Sequence, residues 1–261
     1  LPISVSMVMP LYTGGKISSA KQIATLQAQR STISEKQQQD AQRFEMIQAY
    51  FNAQLQQQLA NTTLFNFNAM QQHYNNALKL EKQGFINKGQ RMQFEVALNN
   101  ADRAYQNAQS NLQASLFSLK NLLKTSDRLS LSTPLFVNTT QKNDLETFLS
   151  NYDQNSSLVK KLQMDTQLAN ENIRIQQAAK KPSVFAFGEY GLDDKENWII
   201  GVMAKYSLFS GIDKNKNIHA AELKRYAAEM MTERTKQEIE NILYKSYSEL
   251  NAAQTSHQLL I

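Results

Sequence analysis

A chain of 261 residues with no cysteine and three histidines has no disulfides, no thiolate metal sites and too little imidazole for most histidine-built ones. Eight glycines and four prolines are few for an all-β or α/β protein of this size, so long uninterrupted helices are expected. The charge excess, 28 − 23 = +5, is dispersed, which excludes the basic block of a nucleic-acid-binding or membrane-surface segment.

No apolar run of about 18 residues occurs, so no transmembrane helix is predicted. Leu1-Pro2-Ile3-Ser4-Val5 carries no basic leader, and Leu259-Leu260-Ile261 falls inside a helical pattern. A piece of a longer protein is therefore expected.

Residues 3–11 alternate, with Ile3, Val5, Met7, Met9 and Leu11 on one face and Ser4, Ser6, Val8 and Pro10 on the other. Period two predicts a strand, closed by a turn at Tyr12-Thr13-Gly14-Gly15 with Thr13 as a helix N-cap. From Lys16 to Gln83 there is neither Pro nor Gly, and Gln, Ala, Asn, Lys and Leu dominate. That predicts one helix, roughly 100 Å long at 1.5 Å per residue. Its expected seam runs Ile17, Ala20, Ala24, then Phe44, Ile47, Phe51, Leu55, Leu59, then Phe67, Met70, Tyr74, Leu78. Such a rod needs other long helices beside it.

Gly84-Phe85-Ile86-Asn87-Lys88-Gly89 interrupts the rod, and Asn87 and Gln90 have the spacing of a capping box. A second helix is predicted from Lys88 to Leu123. Leu98, Tyr105, Leu112 and Leu119 step by heptads beside Ala97, Ala101, Ala104 and Ala108. The pair forms a helical hairpin with an exposed tip, whose helices approach closely on the alanine side.

Residues 124–157 are rich in Ser, Thr, Asn and Asp, contain Pro134, and offer one short helical stretch at Leu145–Tyr152. A helix follows from Ser157 to Lys180 and stops before Pro182. A β-hairpin comes next: a strand over Ser183–Leu192, a polar turn at residues 193–197, and a return strand. Trp198, Ile200, Val202, Ala204, Tyr206 and Leu208 form one apolar face of that strand; Ile199, Gly201, Met203, Lys205 and Ser207 form the other. A lipid-facing barrel strand has this pattern, as does an edge strand of a soluble sandwich. The last helix runs from Asp213 to the end along Ile239, Leu243, Leu250, Ala253 and Leu260.

The chain repeats itself at an offset of 200 − 3 = 197 residues. Ile3-Ser4-Val5 lies over Ile200-Gly201-Val202, and Leu11-Tyr12-Thr13-Gly14 over Leu208-Phe209-Ser210-Gly211. A strand that passes directly into a long helix occurs twice, which favours the membrane strand over the sandwich edge.

These junctions resemble those of the TolC-like outer-membrane efflux proteins, in which a proline–Leu–aromatic–small–Gly segment leads from strand to tunnel helix. Pro10-Leu11-Tyr12-Thr13-Gly14-Gly15 is similar to it; Ser207-Leu208-Phe209-Ser210-Gly211 is similar with Ser for Pro. Gly84-Phe85-Ile86-Asn87…Gln90 resembles the family's hairpin tip, with Asn for the usual Ser/Thr and Gln for the acid. Pro182 before an apolar strand also fits.

The resemblance implies a mainly α fold of long antiparallel helical hairpins with coiled-coil packing, short membrane-type strands and an internal repeat. It assigns 1–15 and 182–212 to barrel strands and 16–123 to a helical hairpin with its tip at 84–90. Residues 124–157 become an irregular equatorial insert, and 158–181 and 213–261 tunnel helices. It further implies a homotrimer in the outer membrane of a Gram-negative bacterium, most of the chain lying in the periplasm. Four strands per protomer would close a twelve-stranded barrel. This chain shows three, with a first strand and its helix expected before Leu1 and a return helix after Ile261. A fragment with unpaired edges is not expected to build the channel alone.

The implied function is a passive conduit of a tripartite efflux or secretion system, with outer-membrane lipid, a periplasmic adaptor and an inner-membrane transporter as partners. Gly84, Phe85, Ile86, Asn87 and Lys88 would contact the adaptor. Pro10, Leu11, Tyr12, Gly14, Gly15, Leu208, Phe209 and Gly211 would form the junctions, and Trp198, Ile200, Val202, Ala204 and Tyr206 the lipid face. Phe85 and Ile86 stand out because Ile86 has Arg91, not an apolar residue, where a hydrophobic staple needs its partner.

No paired carboxylates or nucleophile–base set mark an enzyme, and no cofactor, metal site or nucleic-acid partner is expected. His73 and His219 read as surface residues, His257 as a packed seam residue, and Met7, Met9 and Met203 as apolar filler. A helical pore-forming toxin or a structural coiled-coil protein are the alternatives; neither accounts for the duplicated strand-to-helix junction.

Overall fold

Prolines and glycines set the borders of the elements. In the computed structural model, residues 3–133, 144–192, 197–208 and 211–260 are described, apart from the side chains of residues 153 and 154. Phe209 and Ser210, Pro134, and residues 193–196 of the polar turn lie outside them. The order is β1 (Ser4–Tyr12), α1 (Lys16–Lys82), α2 (Lys88–Leu123), α3 (Leu145–Asn155), α4 (Ser157–Ala178), β2 (Ser183–Gly191), β3 (Asn197–Lys205) and α5 (Gly211–Leu260). The mainly α expectation holds, and Lys16 to Lys82 is one helix.

Most borders move from the sequence reading: β1 is Ser4–Tyr12 and not 3–11, β2 ends one residue early at Gly191, and α4 ends at Ala178 and not Lys180. β3 ends at Lys205, so Tyr206 and Leu208 lie beyond the strand. The last pair of the β2–β3 ladder is Ser183 with Lys205, because Pro182 before it has no N–H to extend the ladder. α5 starts at Gly211 instead of Asp213. The insert holds a longer helix than expected, α3, which is linked to α4 by Ser156. The Ser156 backbone N–H donates to the Tyr152 carbonyl, closing α3, and its Oγ accepts from the Val159 N–H, opening α4.

Two compact units divide the chain: residues 1–38 with 141–261, and residues 39–140. The first holds an antiparallel three-stranded sheet in the order β1-β2-β3. Both outer strands run antiparallel to β2, so the two strands of the repeat lie parallel to each other and each leads into a long helix. The helices of this unit bury small and branched side chains: Leu26 of α1, Val159, Ile173 and Ala178 of α4, and Ala221 of α5. Arg30 grips Asp165 across α1 and α4 at 2.7 Å, and Phe148 of α3 meets Tyr247 of α5 edge-on. Along α5, Ile239 and Leu243 turn partly inward as expected, but Leu250, Ala253 and Leu260 are exposed. Tyr247, Gln254 and His257 take the inward positions instead.

The second unit is the hairpin of α1 and α2. Ala60, Ala108 and Leu112 form its core, with Leu116 packed against them. Phe67 stacks on Tyr105 with ring centroids 6.2 Å apart. The inward side of α1 is Ala53, Ala60, Phe67 and Tyr74, a heptad series, with Ala77 three residues on. The bulky series Phe44, Ile47, Phe51, Leu55, Leu59 faces outward, as does Leu78, which corrects the expected seam. Alanine wins the inward positions because it lets two helix backbones come close. The same selection operates on α2, where Ala101 and Ala108 are buried but Ala104 is not.

Candidate barrel wall, junction and hairpin tip

Pairing register assigns the faces of the sheet, because residues directly opposite in an antiparallel ladder share a side. One face has the rows Val5–Tyr190–Trp198, Met7–Gly188–Ile200 and Met9–Ala186–Val202, followed by Val184–Ala204. Every member is apolar, glycine or an amphipathic aromatic. The opposite face carries the polar and charged groups: Ser4, Ser6, Glu189, Ser183 and Lys205, with Phe185 and Phe187 among them. There the Phe187 ring occupies the space a Cβ on Gly201 would need, 2.6 Å away.

A bulge between Pro10 and Tyr12 changes the alternation. Tyr12 pairs with Val184 and so joins the apolar face, while Leu11 drops out of the pairing. Proline at position 10 supplies the cause, since without an N–H it cannot sustain a regular ladder. The apolar band therefore runs from Tyr190 and Trp198 at one end to Tyr12 at the other, roughly 20 Å along the strands. Trp198 and Ile200 are 68% and 76% exposed. Nine-residue strands with an apolar face bounded by aromatics have the length and girdles of a barrel wall in lipid. Ala204 keeps its expected place on this face, and Tyr206 follows after the strand.

The two junctions are built differently. Gly14 and Gly15 have φ of +67° and +96°, and a Cβ on Gly14 would lie 2.9 Å from both the Ala178 carbonyl oxygen and Lys181 Cβ. Thr13 closes the turn: its Oγ1 accepts from the Ile17 N–H and its carbonyl from the Lys16 N–H. Gly211 has no positive φ and nothing within 4 Å of its Cβ position. Leu208 is exposed, and the conformation of Phe209 lies outside the described residues.

At the tip, α1 closes in a Schellman arrangement. The Phe85 N–H donates to the Leu80 carbonyl and the Gly84 N–H to the Glu81 carbonyl, with Gly84 at φ +79°. The capping box forms as the spacing predicted: the Gln90 N–H donates to Asn87 Oδ1 at 2.8 Å and the Asn87 N–H to Gln90 Oε1 at 3.0 Å. Phe85 is 75% exposed, Lys88 is exposed and Ile86 is half-buried. Sequence reasoning missed the clamp behind them. Arg91 donates to Glu81 across the turn at 2.7 Å and to Glu95 at 2.6 Å. The hydrogen bond to Glu81 is the main reason its guanidinium pKa is raised. Only the Arg91–Glu95 half had a sequence signal, the i,i+4 spacing.

Replacing Asn87 by alanine removes the side-chain acceptor of the Gln90 N–H and leaves the backbone N–H of residue 87 on Gln90 Oε1. Amide exchange at Lys88–Arg91 is expected to rise about fivefold, the equivalent of ~1 kcal/mol. Unchanged exchange there would show that the Arg91 clamp alone holds the tip.

An antiparallel three-stranded sheet with one wholly apolar face thus feeds two long helices. No family model and no curated protein sequence matches the chain. Solved structures do match it. The outer membrane protein VceC of Vibrio cholerae superposes with a TM-score of 0.78 at 15% identity, over 98% of this chain and 62% of that one. The Neisseria gonorrhoeae outer membrane channel MtrE, in its open state, gives 0.72 at 17% identity, over 100% and 70%. The Campylobacter jejuni outer membrane channel CmeC gives 0.70 at 17% identity, over 99% and 59%. This chain thus spans between about three fifths and seven tenths of their lengths. Its fold is that of the TolC-like outer-membrane efflux channels along nearly its whole length, as the junction motifs led one to expect.

Proposed function

We propose that this chain is the larger part of one protomer of an outer-membrane efflux or secretion channel that acts as a passive conduit and not as an enzyme. The observation that carries this is the repeated junction: β1 and β3 present one continuous apolar face and each passes within a few residues into a helix of 67 or 50 residues. Among the described residues, both β1 and β3 have an unpaired edge in the sheet. In lipid such edges must be closed by further strands, which a trimer with four strands per protomer supplies. The outer row from Phe44 to Leu59 would pack against helices of a neighbouring protomer. The apolar face meets outer-membrane lipid and the helices extend into the periplasm of a Gram-negative cell.

The tip is the proposed docking point for a periplasmic adaptor, which would join the channel to an inner-membrane transporter. The Schellman turn, the capping box and the Arg91 clamp hold the backbone while Phe85 projects from it, which is how a preorganised hydrophobic anchor is presented. Phe85→Asp in the full-length protein is expected to lower adaptor crosslinking at the tip about tenfold or more. Trimer yield and single-channel conductance should stay at the wild-type level. Crosslinking that persists unchanged would move the docking point elsewhere. Absence of conductance from the wild-type trimer in planar bilayers would overturn the conduit itself.

A further inference from the structure

Beside the first junction lies a cavity of about 600 Å³. Lys16, Lys181, Lys205 and Lys214 line it, with Phe185 and Ile17 among its apolar walls. The four lysines come from separate places: the start of α1, the link after α4, the end of β3 and the first turn of α5. Among the described residues no acidic side chain lines the cavity, and Asp213, beside Lys214 in the first turn of α5, is not part of the lining. Lys214 Nζ donates to the Ser207 carbonyl at 3.4 Å, and the first turn of α1, whose N-terminus lies at the same place, carries no acid. Like charges lining one cavity repel unless something negative joins them. Low-dielectric walls concentrate their field on the space between them.

The register places this cavity on one side of the wall. Pro10 pairs with Phe185 and Ser183 with Lys205, and all four border it. These residues belong to the face opposite the Trp198–Ile200–Val202 band. If that band meets lipid, the lysines face the lumen.

We infer that the cavity is a transit subsite for amphiphilic organic anions: an apolar body against Phe185 and Ile17, and a carboxylate, sulfonate or phosphate among the lysines. This rests on the conduit function above and adds a substrate class to it. The lysines would also bias the pore toward small anions, as rings of basic side chains do.

The test uses the full-length trimer in planar bilayers. In a potassium chloride gradient near 10 mM, where the screening length is about 30 Å, chloride is expected to permeate roughly threefold better than potassium. That preference should vanish near 1 M, where screening shortens to about 3 Å. 2-Naphthalenesulfonate should block at a concentration at least about tenfold lower than naphthylmethylammonium, a ratio worth ~1.4 kcal/mol. Both preferences should disappear in the K16Q/K181Q/K205Q/K214Q variant. Equal block by the two naphthalene ions in the wild type overturns the inference and leaves the conduit standing. So does an anion preference that the variant retains. A wild-type trimer that conducts nothing overturns both. Should the variant not assemble, the wild-type comparison of sulfonate with ammonium decides by itself.

Discussion

Ile200→Arg in the full-length protein is expected to cost about 2–4 kcal/mol per chain, and so about three times that in a trimer, if the apolar face meets lipid near the middle of the bilayer. Ile200 lies near the centre of β3, 76% exposed, in a row with Met7 and Gly188. Its neighbour Ile199 is the internal control. It sits on the opposite face, paired with Glu189, which in turn pairs with Ser6. An arginine there meets a carboxylate and, in the lumen, water. Ile199→Arg should therefore lie within about 0.5 kcal/mol of the wild type, as a substitution on a wet surface does. The measurement is the urea midpoint of the trimer refolded into phospholipid bilayers. Equal losses for the two variants, or a larger loss for Ile199→Arg, would reverse the face assignment. The lumenal placement of the four lysines would go with it.

The large features of the fold were open to sequence reasoning because they depend on local chemistry. An unbroken stretch without Pro or Gly from Lys16 to Gln83 admits little but a helix, and Asn87 three residues before Gln90 marks a cap in any context. Alternation found β1 and β3 for the same reason. What sequence could not supply was which of two apolar stripes on a helix faces inward. Phe44 and Leu55 are more hydrophobic than Ala53 and Ala60, yet the alanines are buried. A helix with two apolar stripes can pack on either, and hydropathy does not say which one is met within the same chain. The Pro10 bulge was likewise legible only once β2 supplied a register, and with it Tyr12, expected in the turn, joined the strand on its apolar face. The lysine cavity was the least visible feature, since Lys16 and Lys214 lie almost 200 residues apart.

The first junction makes the other large prediction. Gly14→Ala places a Cβ 2.9 Å from the Ala178 carbonyl oxygen, a backbone atom at the end of α4 that cannot rotate aside. It also forces an L side chain into the left-handed region at φ +67°, which alone costs roughly 1–2 kcal/mol. The two effects add, so a loss of about 3 kcal/mol is expected. Gly15→Ala shares only the second, because nothing lies within 4 Å of its Cβ position, and should cost about 1 kcal/mol. Gly211→Ala, at the matching point of the repeat, has neither handicap and should be neutral or slightly stabilising, alanine being the better helix former by up to about 1 kcal/mol. The ordering of the three thermal midpoints is the readout. If Gly211→Ala proved as harmful as Gly14→Ala, the two junctions would be doing the same mechanical job. The expected asymmetry instead makes the first junction the rigid one. There the start of α1 is pressed onto the end of α4, which holds Lys16 and Lys181 on a common cavity while β1 enters the sheet.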